Sequence, residues 1–191
     1  EGLYLKYVAT PKLKAVSNSA NGITVTWNAV NGGGSTWYRV YRRGAGSTYW
    51  YYLGATQKTS FLDTKIANAN NRYYRYTVRA VAGTADKGWY SAFDTTGLYL
   101  KRITNPVLVS ATSANGGITV KWNAVAGTTG YYVYRKTANS TWVRVGTVGG
   151  ANNTTFIDKN ASRGVTYTYT VRACYGRTLS SYNTKGVSAR R

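Results

Sequence analysis

The chain has no histidine and no methionine, one cysteine, two prolines and only five acidic residues among 191. Each scarcity excludes something. Without histidine, the commonest general base and the commonest metal ligand are gone. A lone cysteine, Cys174, excludes an internal disulfide, and it has no histidine to activate it as a nucleophile. The carboxylates are Glu1, Asp63, Asp86, Asp94 and Asp158, too few and too scattered for a calcium cage. A glycosidase needs two carboxylates about 5–9.5 Å apart across a sugar site; only Asp86 and Asp94 are close enough in sequence for a hairpin to bring them together. Gly32-Gly33-Gly34 lacks the Lys-Ser/Thr that completes a phosphate loop. No apolar run approaches the roughly 18 residues that cross a bilayer. These absences predict a non-enzyme with no cofactor, no metal site and no membrane insertion.

What is present is basic, aromatic and repeated. There are 25 Lys+Arg, 19 Tyr and 6 Trp, with a formal net charge of +20. Hydrophobic residues make up 43% of the chain, enough to form a core and to argue against disorder. The Tyr, Trp, Thr and Val content favours strands. Gly2-Leu3-Tyr4-Leu5-Lys6 returns as Gly97-Leu98-Tyr99-Leu100-Lys101, and Ile23-Thr24-Val25-Thr26-Trp27 as Ile118-Thr119-Val120-Lys121-Trp122. Phe61-Leu62-Asp63 returns as Phe156-Ile157-Asp158, and Thr77-Val78-Arg79-Ala80 as Thr170-Val171-Arg172-Ala173. A period near 95 residues exceeds the roughly 20–50 of a solenoid unit, so each copy is expected to fold by itself. Residues 10–101 form copy one and 102–191 copy two; residues 1–9 read as the junction remnant of a preceding repeat, which predicts a longer array. Fourteen basic and four acidic residues precede Ile103, and eleven and one follow it, so each half carries +10. Such a field attracts polyanions: nucleic acid, teichoic or acidic polysaccharide, or an acidic protein face.

Period-2 alternation bounded by Gly, Asn, Ser and Thr predicts strands near 12–17, 22–29, 37–43, 49–54, 60–63, 72–82 and 89–97. In copy two they fall near 107–112, 117–124, 130–136, 141–147, 154–158, 165–175 and 179–188. Seven short strands per copy with frequent turn signals predict an all-β chain of two tandem seven-stranded antiparallel β-sandwiches, immunoglobulin-like in class. The stretch Leu98–Asn105 reads as the link between copies. It is apolar-rich and lacks Gly/Ser or Pro runs, so it is expected to pack.

Several motifs are similar to those of a known family. Ile-Thr-Val-x-Trp ending the second strand resembles the B strand of a fibronectin type III domain. Gly130-Tyr131-Tyr132-Val133-Tyr134-Arg135 resembles its C strand, and the runs Tyr74–Ala80 and Tyr167–Ala173 its F strand. The resemblance implies that Tyr74 and Tyr167 are tyrosine-corner residues, their hydroxyls bonding to the chain just upstream. The Trp-Asn-Ala-Val, Tyr-Arg and Phe-x-Asp punctuation resembles tandem copies in surface proteins of Gram-positive bacteria. That implies an extracellular, monomeric module within a larger array. Ile66-Ala67-Asn68 and Asn160-Ala161-Ser162 stand where the family usually has Leu-Pro.

Strand phase sorts the faces. Trp27, Tyr38, Val40, Tyr74, Tyr76 and Val78 point inward, as do Trp122, Tyr131, Val133, Tyr167, Tyr169 and Val171. Asp63 and Asp158 read as turn-forming caps, and Cys174, which replaces Val81, as a packing residue. The outward phase interleaves arginine with aromatic rings: Arg39, Tyr41, Arg43, Trp50, Tyr52, Tyr73, Arg75 and Arg79, against Tyr132, Tyr134, Lys136, Trp142, Arg144, Thr168 and Arg172. Such rows form cross-strand ladders that stiffen a sheet, or binding faces rich in the residues that concentrate interface energy. Trp50/Trp142 and Tyr41/Tyr134 occur in both copies and lean to the first role. Tyr52, Tyr73, Trp37, Trp89 and Tyr90 belong to copy one; Arg144, Thr166, Gly130, Thr178 and Leu179 replace them. Trp89 and Tyr90 follow a loop, Ala82–Gly88, where sandwich folds often carry recognition. Three functions stay open: recognition of a host protein (immunoglobulin-type or other) or glycan, a basic spacer adhering to anionic cell-wall polymer, and binding of single-stranded nucleic acid, for which no fold signature is present.

Overall fold

The computed structural model describes residues 7–31 and 35–191. Glu1, the first Gly-Leu-Tyr-Leu-Lys motif and Gly32–Gly34 lie outside them, and so does most of the expected junction remnant 1–9. The chain divides into two compact units. One contains residues 21–67 and 72–101 with the segment before Asn18; the other contains Arg102–Arg191 with residues 18–20 and 68–71.

In copy one, β1 (Leu13–Ser19), β2 (Gly22–Trp27) and β5 (Ser60–Asp63) form a sheet in the order β1-β2-β5. A second sheet runs β4-β3-β6-β7, from β3 (Thr36–Gly44), β4 (Tyr51–Thr56), β6 (Arg72–Gly83) and β7 (Gly88–Tyr90). The strand β8 (Leu98–Arg102) pairs with β6 on that sheet. Copy two repeats the plan. There β9 (Leu108–Ala114), β10 (Gly117–Trp122) and β13 (Thr155–Asp158) make one sheet. The other holds β11 (Gly130–Lys136), β12 (Val143–Gly149), β14 (Thr166–Tyr175), β15 (Thr178–Leu179) and β16 (Val187–Arg190). A short 3-10 turn, Thr64–Ile66, follows β5.

Alternation builds both cores. Ile23, Val25 and Trp27 of β2 are buried, while Thr24 and Thr26 between them are half-exposed. Trp27 meets Tyr38 of β3 with ring centroids 5.4 Å apart, and Trp122 meets Tyr131 at 5.2 Å. Val40, Tyr76 and Val78 close the first core, and Val133, Tyr167, Tyr169 and Val171 the second. Tyr74 keeps the inward phase but is only half-buried, with the Arg42 guanidinium 5.2 Å above its ring as Arg135 is 4.4 Å above Tyr167. The tyrosine corner is formed in copy two, where the Ser162 amide donates to the Tyr167 hydroxyl at 3.3 Å. Cys174 is buried in β14, and burial pushes its thiol above the ordinary value.

The expected last strands, 89–97 and 179–188, are each broken in two. After the Ser91 amide donates to Ala80 O, side-chain bonds between β6 and residues 91–94 replace the backbone ladder. Ser91 Oγ accepts from the Ala80 amide at 2.9 Å, Arg79 Nε donates to Ser91 O, and Thr77 Oγ1 donates to Asp94 O. Asp94 Oδ1 then accepts from the Thr96 amide, turning the chain at Gly97. Copy two uses Ser180, Arg172, Thr170 and Asn183 in the same way. The strand resumes at Leu98, so Leu98–Arg102 is a paired strand of the sheet and not a link. Leu98 and Leu100 are half-buried there, while Tyr99 is exposed.

Candidate functional site

On β3, odd positions leave the core: Arg39, Tyr41 and Arg43 face outward from the sheet that Tyr38 and Val40 line within. Arg43 lies 4.7 Å over the Trp50 ring, and Lys136 Nζ lies 5.0 Å over Trp142 in the equivalent place. Arg79 sits 5.8 Å from Phe93, as Arg172 does from Tyr182. Tyr41 packs between Tyr52 and Phe93, with centroids 5.6 and 6.3 Å away. Trp50 also meets Phe93 edge-on at 6.5 Å, and Trp142 meets Tyr182 at 6.1 Å. Both copies therefore carry one ladder of cation, tryptophan and second aromatic ring. In copy two it surrounds a cavity of about 180 Å³ lined by Tyr134, Trp142, Thr170, Arg172 and Tyr182.

One rung is inverted between the copies. Arg39 stands 5.0 Å over Tyr52 in copy one, and Arg144 stands 4.9 Å over Tyr132 in copy two. The cation has moved from the β3 position to the β4 position and the ring the opposite way. The contact is kept while its residues are exchanged, which makes the Tyr52 position part of the ladder.

Copy one adds contacts that copy two lacks residues to make. The Tyr90 ring is held between Arg39 at 5.2 Å and Arg79 at 4.6 Å. Arg39 is braced by Ala85 O at 2.8 Å and by Asp86 at 2.9 Å, while the Tyr90 hydroxyl donates to Asp86 O. Burial alone would lower the Arg39 guanidinium, but the Asp86 hydrogen bond leaves it raised. Tyr132 and Leu179 stand at the Arg39 and Tyr90 positions of copy two. Arg75 lies 5.6 Å over Tyr99 and donates to Thr96 O at 2.7 Å, and Lys101 lies 5.6 Å from the Tyr73 ring. Trp89, 55% exposed on β7, alternates with Tyr90 and so stays off the ladder face. Trp37 is half-buried on β3 opposite Val81.

Beneath the ladder is a group that the turn-cap reading of the aspartates missed. Asp63, 1% exposed, accepts from Arg42 at 2.7 Å and from the Tyr76 hydroxyl at 2.8 Å, while its other oxygen takes the Lys65 amide. Asp158 accepts from Arg135, Tyr169 and the Asn160 amide in the same pattern. Each aspartate does close its turn, but it also anchors a buried ion pair. The signal was available: Arg42 and Arg135 fall on the inward phase of their strands, and each has one aspartate within reach of that face. Burial, and next the neighbouring carboxylate, push the Tyr76 and Tyr169 phenols above their ordinary value near 10. A raised folded-state value favours the neutral phenol, so this stability is present below about pH 10 and lost as pH rises above it. Between the two values the loss is about 1.4 kcal/mol per pH unit for each tyrosine. Urea melts at pH 8 and pH 11 followed by tryptophan fluorescence are expected to show it. The fall is expected to shrink in Tyr76→Phe and Tyr169→Phe; an unchanged slope in both would contradict it.

Two three-plus-five antiparallel sandwiches of one sheet order, each with a Trp–Tyr core and an outer arginine–aromatic face, define a tandem all-β module. Residues 106–185 match the family model described as the fibronectin type III domain, SaeA third domain. Copy one has the same sheet order and shares the buried triad and the broken last strand, so the chain carries two tandem fibronectin type III-like domains. Among solved structures it is similar to the chicken CNTN1 FN1–FN3 domains, at 17% identity and a TM-score of 0.46, over 96% of this chain and 68% of that one. No curated protein matches. Domains of this type are generally non-catalytic binding or spacer modules. Among the described residues no helix is long and apolar enough to cross a membrane.

Proposed function

We propose that the chain is a non-enzymatic recognition module of an extracellular bacterial surface protein, and that copy one holds a host protein, of immunoglobulin type or another. The observation that carries this reading is the Arg39–Tyr90–Arg79 stack. It is braced on Ala85 and Asp86 and flanked by exposed Tyr52, and copy two has Tyr132 and Leu179 where copy one has Arg39 and Tyr90. Arginine and large rings fixed before the partner arrives lose little entropy on binding, and such residues dominate interface energies. An exposed aromatic patch of this kind on a soluble sandwich is a common mark of an interaction surface.

The test is surface plasmon resonance of the whole chain over immobilised immunoglobulin and serum-protein fractions. Tyr90→Leu, which installs the copy-two residue, is expected to weaken binding about 30-fold, the equivalent of roughly 2 kcal/mol. The dependence on salt should be modest. A second reading, a basic spacer adhering to anionic cell-wall polymers, is favoured by the even +10 of each copy. Binding that collapses between 50 and 200 mM salt and ignores Tyr90→Leu and Trp89→Ala would replace the first reading with this one.

A further inference from the structure

At the other end of the same sheet, about 13 Å along β3 at ~3.3 Å per residue, copy one has a cavity of about 470 Å³. It is lined by Arg43, Tyr73, Tyr74, Arg75 and Tyr99 and by residues 44–48 where β3 turns toward β4. We propose that this cavity binds an anionic sugar unit: a pyranose ring bearing a carboxylate or a sulfate.

The size falls within the range of small-molecule sites. No carboxylate lines the cavity, and among the described residues neither Arg43 nor Arg75 forms an ion pair. Two guanidinium groups without internal counterions match an oxyanion, which they can take bidentately. Both are already held in place, Arg43 over Trp50 at 4.7 Å and Arg75 on Thr96 O at 2.7 Å. Tyr73 and Tyr99, 39% and 64% exposed, present apolar ring bodies with polar tips. Such rings suit the C–H face of a sugar with its hydroxyl rim, and a bare inorganic anion would leave them unused. At Gly44 and Gly46 even a Cβ would meet nothing within 4 Å, so a ligand can approach the turn closely.

Copy two supplies the internal control. Thr168, Ser188 and Thr166 replace Arg75, Tyr99 and Tyr73, and Thr168 and Ser188 bond to each other at 2.9 Å. That pair takes the cross-strand position that Arg75 and Tyr99 hold in copy one. The inference stands apart from the protein-binding reading, because it uses neither Arg39 nor Tyr90.

The experiment titrates the ¹⁵N-labelled whole chain with oligogalacturonate, a sulfated dextran oligosaccharide, a neutral dextran oligosaccharide and inorganic sulfate. Saturable binding of either anionic sugar is expected, with shifts concentrated at residues 43–48, 73–75 and 99; the tighter of the two identifies the anion. The neutral sugar and sulfate alone should bind at least tenfold more weakly. Arg75→Thr with Tyr99→Ser installs the copy-two pair, so the sheet retains a contact known to fit it, and affinity should fall at least tenfold. Lys121→Ala, an exposed charge in copy two, should change it less than twofold. Absence of saturable binding by both anionic sugars would overturn the proposal. So would equal binding of the neutral sugar or sulfate, or equal losses in Lys121→Ala and the double variant. Tyr90→Leu is expected to leave sugar binding intact, so this site and the protein-binding face fail or succeed separately.

Discussion

Asp158→Ala is expected to lower the stability of copy two by about 3–5 kcal/mol, the range for breaking one side of a buried ion pair. The carboxylate is 3% exposed and gathers three donors: the Arg135 guanidinium at 2.7 Å, the Tyr169 hydroxyl at 2.8 Å and the Asn160 amide at 3.1 Å. Removing it leaves a guanidinium with a side chain only 22% exposed facing the core end of the sandwich, and a fully buried hydroxyl without its acceptor. For a domain of this size each kcal/mol moves the melting temperature about 4–8 °C, so calorimetry should show the copy-two transition at least ~12 °C lower. Replacing all three side chains, as in Arg135→Met, Asp158→Leu and Tyr169→Phe, should recover most of the loss, because no charge is then stranded. A single-variant loss below about 1 kcal/mol would show that water reaches the site and that the pair is solvated. Asp63→Ala is expected to behave likewise in copy one, where Arg42 and Tyr76 take the same roles.

Gly97→Ala and Gly186→Ala are the second large effect. Both glycines hold positive φ, +61° and +71°, where the broken last strand rejoins the sheet. A Cβ would lie 2.3 Å from Tyr76 O at the first and 2.5 Å from Tyr169 O at the second, both backbone atoms that cannot swing aside. At both sites it would also come within 3.2 Å of the ladder tryptophan, Trp50 or Trp142. Left-handed backbone costs an alanine about 1–2 kcal/mol, and overpacking a further ~1–3 kcal/mol. A total loss of about 2–5 kcal/mol is therefore expected in urea melts, with a change in tryptophan emission as the ring is displaced. A neutral substitution would mean that the 91–97 or 180–186 segment moves freely, and that the ladder does not depend on it.

Much of this was legible in the chain. Strict alternation in Ile-Thr-Val-x-Trp and in the Tyr-x-Val runs assigned core and surface directly, because successive side chains of a strand must leave on opposite faces. The duplicate marked Trp50/Trp142 and Tyr41/Tyr134 as shared framework, and Trp50 and Trp142 each meet a second aromatic ring edge-on, Phe93 and Tyr182. The last strand was misread because its interruption has no periodic signature. Ser91 and Asp94 look like ordinary strand or loop residues, and only their bonds to β6 turn them into a substitute ladder. Tyr52 looked peculiar to copy one because linear comparison sets it against Arg144. The exchange with Arg39 and Tyr132 is visible only once β3 and β4 lie side by side. Phe93, Tyr182 and Tyr99 were passed over for the same reason, since each gains its meaning from an arginine on a neighbouring strand.

The sequence by itself determined the all-β character, the two-fold plan, the inward set and the even basic charge, because periodicity, composition and repetition are properties of the chain order. Tertiary structure alone decided which arginine meets which ring, that the two shared aspartates are buried anchors as well as turn caps, and that copy one has a cavity free of carboxylates. Those are relations across strands dozens of residues apart, set by register, by one-residue bulges and by the route of a loop. A shift of one position in any of them would turn the same side chains to the opposite face.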